Sequence, residues 1–208
     1  AGSDQVLNDS PAYDLCLSGG NFRIKDDTPR NLASAVQLHV QSPSTIESDR
    51  ATPGAAVTHQ LAGPLALYGQ KLTVSKGANV TSGTAGFRIG GTTTLNATTD
   101  VEVTSGTQFE LGGEVGGAGG ITKSGSGTLL LAGPNTYSGG TTVAAGALLV
   151  NNTTGFGTGA SGGTAYGNAA VTDGFLHLTD AQNSQGGTWL MDDFTGGQLV
   201  NDFRATFN

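Results

Sequence analysis

Residues 119–150 read GGITKSGSGTLLLAGPNTYSGGTTVAAGALLV, and this stretch decides the fold. It holds two short apolar runs, at 129–131 and 148–150, and a glycine precedes each run, at Gly127 and Gly146. In an extended chain the first and third residues of such a run share one face. Runs this short cannot stand as an independent sheet. Each must therefore bury its apolar face against other runs of the same kind.

The same pattern recurs upstream, between spacers rich in glycine, threonine, serine and asparagine. The alternating apolar pairs are Leu65/Leu67, Leu72/Val74, Phe87/Ile89, Val101/Val103, Phe109/Leu111, Leu129/Leu131 and Leu148/Val150. Phe109, Leu129 and Leu148 follow one another at nearly equal intervals, each of about 20 residues. A repeat of this length fits one circuit of a β-solenoid, in which stacked circuits pool their small apolar faces into one core.

Composition supports an all-β chain and excludes several classes of protein. Glycine occupies 35 of 208 positions, which would cost about 1 kcal/mol at each occurrence inside a helix. No run of 18 apolar residues exists, so no membrane-spanning helix is expected. The nine lysines and arginines are outnumbered by 16 acidic residues, and the net charge is -7. This balance argues against a nucleic-acid partner.

Residues 119–150 closely resemble the autotransporter-associated β-strand repeat. The opening, the first strand, the turn and the closing strand all match, at Gly119, Gly120, Thr122, Lys123, Gly125, Gly127, Thr128, Leu129, Leu131, Asn135, Thr136, Tyr137, Gly139, Gly140, Thr141, Gly146 and Leu148. Pro134 departs from the pattern, which usually has a small residue there. The resemblance implies a right-handed parallel β-helix of an extracellular bacterial protein. It implies a structural spacer with no catalytic activity.

A weaker resemblance links residues 164–208 to the opening of an L-type-lectin-like β-sandwich. It rests on strand-like runs at 174–178, 188–191 and 200–207, and on matches at Thr179, Ala181, Asn183, Ser184, Gln185 and Gly187. The sugar- and metal-binding loops of such lectins lie outside this segment, so the resemblance assigns no sugar-binding residue. It implies antiparallel strands that are part of a sandwich, or strands that another molecule completes.

These patterns predict four regions along an all-β chain. Residues 1–60 are expected to form an N-terminal cap or irregular β region, and residues 61–155 the right-handed parallel β-helix. A glycine-rich linker is expected at 156–163, followed by the antiparallel, partly lectin-like segment at 164–208. The run at 36–40 alternates apolar and polar residues, so a strand is expected there even within the N-terminal region.

Candidate sites for chemistry are weak. His39, His59 and His177 are far apart in sequence, and the alternation places His39 and His177 at outward positions. The acidic residues Asp4, Asp9, Asp14, Asp26 and Asp27 offer the oxygen ligands that Ca²⁺ prefers, but their spacing fits no known loop. We therefore predict no catalytic, cofactor or metal residue. The single cysteine, Cys16, either is buried or bridges to another chain.

The sequence therefore predicts an extracellular, non-enzymatic β-solenoid module of a bacterial surface or secreted protein, with a spacing, display or adhesin role. Self-association into a filament is expected through the solenoid ends or through strand exchange. Two alternatives stay open: a carbohydrate-binding module that recognises surface glycans, and, less favoured, a polysaccharide-cleaving β-helix enzyme. An enzyme needs clustered acid or base side chains, and residues 112–170 offer only Glu114 and Lys123. Ice binding would need flat, regularly repeated rows of threonine, and the threonines of this sequence lack that regular spacing.

Overall fold

The structure is a computed structural model that describes residues 13–151 and four short strands between 164 and 190. The chain divides into two compact units, residues 1–160 and 161–208. All regular elements of the described residues are β-strands.

The first unit winds through about five turns. Its first coil contains β1 (Tyr13–Leu17), β2 (Gly20–Lys25) and β3 (Asn31–Leu32). The second coil contains β4 (Val36–Val40), β5 (Ser44–Asp49), β6 (Gly54–Ala55) and β7 (Thr58–Leu61). The third coil contains β8 (Leu65–Tyr68), β9 (Leu72–Lys76), β10 (Val80–Ser82) and β11 (Ala85–Ile89).

The later coils are shorter. The fourth coil contains β12 (Thr93–Ala97), β13 (Thr99–Val103) and β14 (Thr107–Leu111). The fifth contains β15 (Val115–Gly116), β16 (Ile121–Ser124) and β17 (Thr128–Leu131). The last described coil contains β18 (Thr141–Val143) and β19 (Ala147–Val150).

Equivalent strands of successive coils pair in three sheets. The first sheet has the order β1-β4-β8-β12-β15, the second β2-β5-β9-β13-β16-β18 and the third β3-β7-β11-β14-β17-β19. All these pairs are parallel, and so is the small pair of β6 and β10. The all-β prediction is confirmed, and the architecture is that of a right-handed parallel β-helix.

The register follows the spacing of the apolar residues. Phe109 is the partner of Leu129, and Leu129 is the partner of Leu148, as the nearly constant interval between them predicts. Phe87 extends the same column upstream. The predicted apolar pairs from Leu65/Leu67 to Leu129/Leu131 are fully buried, and only the last pair is partly buried. One continuous core therefore runs along the axis.

The composition of the chain changes near residue 61, but the stack of parallel strands begins earlier. Within 1–60, β4 buries Val36, Leu38 and Val40 completely, and it pairs in parallel with β1 and β8. The mixed composition of this segment reflects its outer positions, where charges such as Arg23 and Glu47 pair across coils at 2.6 Å. Residues 1–12 lie outside the described residues.

One corner of the helix carries a vertical row of glycines. Between the third sheet of one coil and the first sheet of the next lie Gly63, Gly91, Gly113 and Gly133. A Cβ on Gly91 would lie 2.5 Å from the carbonyl carbon of Gly63, and one on Gly133 would lie 2.0 Å from the oxygen of Gly113. The backbones of successive coils meet here too closely for any side chain.

Substitution of Gly113 by alanine tests this corner. The new Cβ would lie 2.2 Å from the carbonyl oxygen of Gly91, so the backbone must shift. We expect the free energy of unfolding to fall by about 1–3 kcal/mol, the usual cost of overpacking. Gly116→Ala is the matched control, because its Cβ would first meet the Thr136 hydroxyl at 3.1 Å. Equal unfolding midpoints in urea for the two variants would contradict the close approach.

The second unit contains antiparallel strands. β20 (Thr164–Gly167) pairs with β23 (Gly187–Leu190), and β21 (Ala170–Thr172) pairs with β22 (Phe175–His177). Antiparallel pairing agrees with the fold predicted for the C-terminal segment. The expected strand at 200–207 and the matches at 179–185 lie outside the described residues, as does the linker at 156–163.

Candidate functional site

The repeat places its lysine in the core. Lys123 on β16 is the partner of Val101 and Val143, so it occupies an inward column and is fully buried. Its Nζ donates hydrogen bonds to the carbonyl oxygens of Ser124 at 2.6 Å, Gly125 at 2.7 Å and Ala145 at 3.1 Å. Burial lowers the pKa of this amine. Lys123 therefore ties the corners of two successive coils from the inside.

The Asn-Thr-Tyr turn docks on the coil below it. Asn135 and Tyr137 are both fully buried, and Asn135 forms a parallel bridge with Val115. The backbone N–H groups of Thr136 and Tyr137 donate to the Val115 carbonyl at 2.8 and 3.3 Å. The Tyr137 hydroxyl lies 2.5 Å from the hydroxyl of Thr141, and burial raises the pKa of Tyr137. In this coil the turn takes the place of a first-sheet strand.

The glycines of the repeat serve two different geometric needs. Gly140 and Gly146 have φ values of 78° and 74°, which favour glycine. Four others have no room for a Cβ, whose nearest backbone atom would lie at 2.3–2.4 Å: Gly119, Gly120, Gly127 and Gly139. The apolar repeat positions lie in the core columns of the third sheet, with Leu129 and Leu131 fully buried and Leu148 partly so. The residues of the repeat therefore form the turns, close backbone contacts and core columns that allow one coil to stack on the next.

On the outer face of the second sheet, a charged cluster joins three coils. Lys71 Nζ lies 3.0 Å from Glu102 Oε2 and 3.7 Å from Asp100 Oδ2. The hydroxyl of Thr73 donates to Glu102 at 3.1 Å, and that of Ser124 donates to Asp100 at 2.5 Å. The hydrogen bond from Lys71 is the main cause that lowers the pKa of Glu102, and the same bond raises the pKa of Lys71.

This cluster predicts a loss of stability in acid. As the pH falls from the ordinary Glu pKa of 4.5 towards its lower value in the fold, the unfolded chain binds more protons than the folded chain, so the free energy of unfolding decreases. Asp26 and Asp27 act in the same direction, since hydrogen bonds from Thr28 and Thr52 lower the pKa of each. Between pH 7 and pH 3 the free energy of unfolding of Glu102→Gln should decrease less than that of the wild type, by under about 1 kcal/mol, because the pair of Glu102 and Lys71 is partly exposed. Urea unfolding between pH 7 and pH 3 measures it, and identical pH profiles for wild type and variant would contradict it.

The acidic residues considered for Ca²⁺ have protein partners where they are described. Asp26 accepts hydrogen bonds from Thr28 and pairs with Arg30 at 2.6 Å. Asp27 accepts hydrogen bonds from Thr52. Asp4 and Asp9 lie outside the described residues. Among the described residues, no group of three or more His, Cys, Asp or Glu side chains is placed to hold a metal ion.

The histidines differ in position. His39 lies on the outer face, as its alternation predicts, whereas His59 is fully buried. His59 Nδ1 accepts the backbone N–H of Arg30 at 3.1 Å, and Nε2 lies 2.9 Å from the Asp49 carbonyl oxygen, to which it donates. His59 is the partner of Phe87 and thus lies in the core column of the third sheet. For His177 the structure describes only the backbone, as part of β22.

Cys16 is exposed on β1 and forms no disulfide with the described residues. Of the two alternatives for Cys16, the buried thiol is therefore wrong, because Cys16 falls on the outward positions of a strand that buries Leu17, and the bridge to another chain stays a prediction. Its partner on β4 is His39.

Comparison with known proteins agrees with the geometry of the repeat. The family model described as the passenger-associated-transport-repeat matches residues 121–150, the segment that holds Lys123 and Tyr137. No curated protein and no solved structure matches the chain significantly. No helix suited to crossing a membrane occurs among the described residues. Residues 121–150 thus match the passenger-associated-transport-repeat family and lie within a parallel β-helix, which supports a surface or secreted module.

Proposed function

We propose that this β-helix is a non-enzymatic rod of an extracellular bacterial protein, which spaces or displays other segments and associates end to end with copies of itself. The observation that carries the proposal is the continuous parallel pairing of successive coils from β1 to β19. A stack of this kind has two ends at which further parallel strands can pair. An end-to-end contact is heterologous and does not close, so it propagates into a filament.

The last described coil supports association at that end. β18 and β19 are the terminal strands of their sheets among the described residues. Val143 and Leu149 are each 48% exposed, whereas the partner of Val143 in the coil before, Lys123, is fully buried. At the opposite end, the described strands β2 and β3 are the first of their sheets. A copy stacked with β2 and β3 against β18 and β19 would continue both sheets in parallel.

Light scattering over a range of protein concentrations, with negative-stain electron microscopy, tests the association. We expect mass to rise with concentration and filaments to form. The double variant Val143→Lys, Leu149→Lys should abolish the rise, because each half-exposed apolar side chain becomes a charge.

Thr94→Lys is the matched control, because Thr94 is exposed at the side of the stack, in β12. It adds positive charge away from the ends and should leave association unchanged. A monodisperse monomer at all concentrations would count against end-to-end association. Equal association of the double variant and wild type would do the same.

The absence of catalysis is part of the proposal. It is supported by the state of the outward carboxylates, several of which are engaged by neighbouring coils. Glu47 pairs with Arg23, Glu102 with Lys71 and Glu110 with Arg88 at 2.6–3.0 Å. Such pairs stabilise a stack and leave little acid or base free for general catalysis. Turnover of any polysaccharide by the purified chain, detected as new reducing ends, would contradict it.

A further inference from the structure

One exposed aromatic ring stands on the outer face of the first sheet. Tyr68, the last residue of β8, is 42% exposed, and it is the one aromatic among the exposed large apolar side chains of the described residues. The ring of His39 on β4 stacks against it, with centroids 6.1 Å apart and an interplanar angle of 22°. The partner of Tyr68 on β12 is Ala97, and Ala66 precedes it on the same face of β8. Neither methyl group can cover the ring.

Polar groups surround this ring in a connected row. His39 Nδ1 lies 3.2 Å from the Tyr68 hydroxyl, while Nε2 lies 3.3 Å from Gln37 Oε1 and 3.4 Å from Asp14 Oδ1. Because two oxygen acceptors face Nε2, we assign the proton to Nε2, and Nδ1 then accepts from the tyrosine hydroxyl. The tyrosine oxygen therefore keeps its lone pairs, and the Gln37 amide keeps its donors. The side chain of Asp14 is 67% exposed and can accept further hydrogen bonds.

We propose that Tyr68, His39, Gln37 and Asp14, here called the Tyr68 surface, bind a neutral saccharide chain. A sugar ring offers an apolar C–H face bordered by hydroxyl groups. The C–H face fits the exposed aromatic ring, and the hydroxyls fit the carboxylate of Asp14, the amide of Gln37 and the tyrosine oxygen. This site is separate from the ends of the rod, so it goes beyond the proposed spacing and assembly role.

The surroundings favour a saccharide over a peptide. A peptide that binds by strand addition needs a free edge, but β8 lies between β4 and β12. A peptide that binds by side-chain anchors needs an apolar pocket, whereas the neighbours of Tyr68 are small or polar. A flat polar face with one aromatic ring matches an extended, hydroxyl-rich chain.

Charge selects among saccharides. Asp14 lies at the edge of the Tyr68 surface, and the chain carries a net charge of -7. Sulfated or carboxylated glycans would be repelled at low ionic strength. The occupant is therefore neutral. Adjacent strands are about 4.8 Å apart, so the row from Asp14 on β1 to Tyr68 on β8 spans more than one sugar ring, and a polysaccharide is favoured over a monosaccharide.

Affinity electrophoresis of the full chain tests the proposal. Native gels would contain a soluble β-glucan, a mannan or a galactan, with heparin as the anionic comparison. We expect at least one neutral polysaccharide to retard the wild type. Tyr68→Ala should raise the dissociation constant for that polysaccharide roughly tenfold. Tyr68→Phe keeps the ring, so its dissociation constant should stay within about threefold of the wild-type value.

Ser82→Ala is the control, because Ser82 is exposed on β10, outside the first sheet and away from the terminal coils. Its retardation should equal that of wild type, and circular dichroism should be the same for all variants. Lack of retardation by every neutral polysaccharide, or retardation by heparin alone, would overturn the inference. Equal binding by wild type and Tyr68→Ala would also overturn it and would place saccharide binding elsewhere, such as residues 164–208. Light scattering of Tyr68→Ala should still show self-association, so failure of one proposal is distinguishable from failure of the other.

Discussion

Replacement of Lys123 by methionine is expected to lower the free energy of unfolding by about 3 kcal/mol or more. Methionine has a similar length but cannot donate hydrogen bonds. The carbonyl oxygens of Ser124, Gly125 and Ala145 would lose the bonds that Nζ now makes at 2.6–3.1 Å. Buried groups that lose a hydrogen-bond partner cost about 1–3 kcal/mol each. Relief from burying a charge offsets only part of this cost.

Urea denaturation monitored by circular dichroism measures the loss. Lys71→Met is the matched control, because Lys71 is 45% exposed and its ion pairs lie on the surface. That variant should lose less than about 1 kcal/mol. If Lys123→Met were as stable as Lys71→Met, the three carbonyl contacts would have no net role in stability.

Substitution of Phe109 by alanine should cost about 3–5 kcal/mol. Phe109 is fully buried in the core column of the third sheet, between Phe87 and Leu129. The Phe87 and Phe109 rings pack with centroids 6.5 Å apart. Because each coil contacts only its neighbours, the cavity cannot be filled by distant parts of the chain.

Hydrogen exchange should localise this damage. We expect faster exchange in β14, which carries the substitution, and in its neighbours β11 and β17, with little change in β1 and β2. Leu149→Ala removes an exposed side chain from the same sheet and should cost under about 1 kcal/mol. Uniformly faster exchange along the whole stack would mean that the coils unfold as one unit instead.

The sequence predicts the regular part of the stack well because its spacing is nearly constant there. Phe109, Leu129 and Leu148 recur at almost equal steps, and these steps are the register of β14, β17 and β19. Upstream, the step from His59 to its partner Phe87 is longer, since the second and third coils carry the additional strands β6 and β10. Irregular coil length and a polar residue in an apolar column together obscure the repeat before residue 61.

The polar side chains of the core were harder to foresee. Lys123 is charged, and a charged residue is almost never fully buried without a partner. A signal was nevertheless present, because Lys123 lies two positions after Ile121 and so shares its inward face. The contacts of Lys71 with Glu102 and of His39 with Tyr68 join side chains that are far apart in sequence. Such pairs follow from the stacking register, which the composition of the N-terminal region does not reveal.

Val115 and Asn135 occupy equivalent positions in successive coils, so the β-helix can be shortened or lengthened by one whole coil at a time. If residues 115–134 were deleted, Asn135 would follow Glu114 at the position that Val115 now holds. Duplication of the same residues would insert one further rung, and both neighbours would meet the surfaces they already meet. Recombination within such a gene can therefore shorten or extend the protein without redesigning either end.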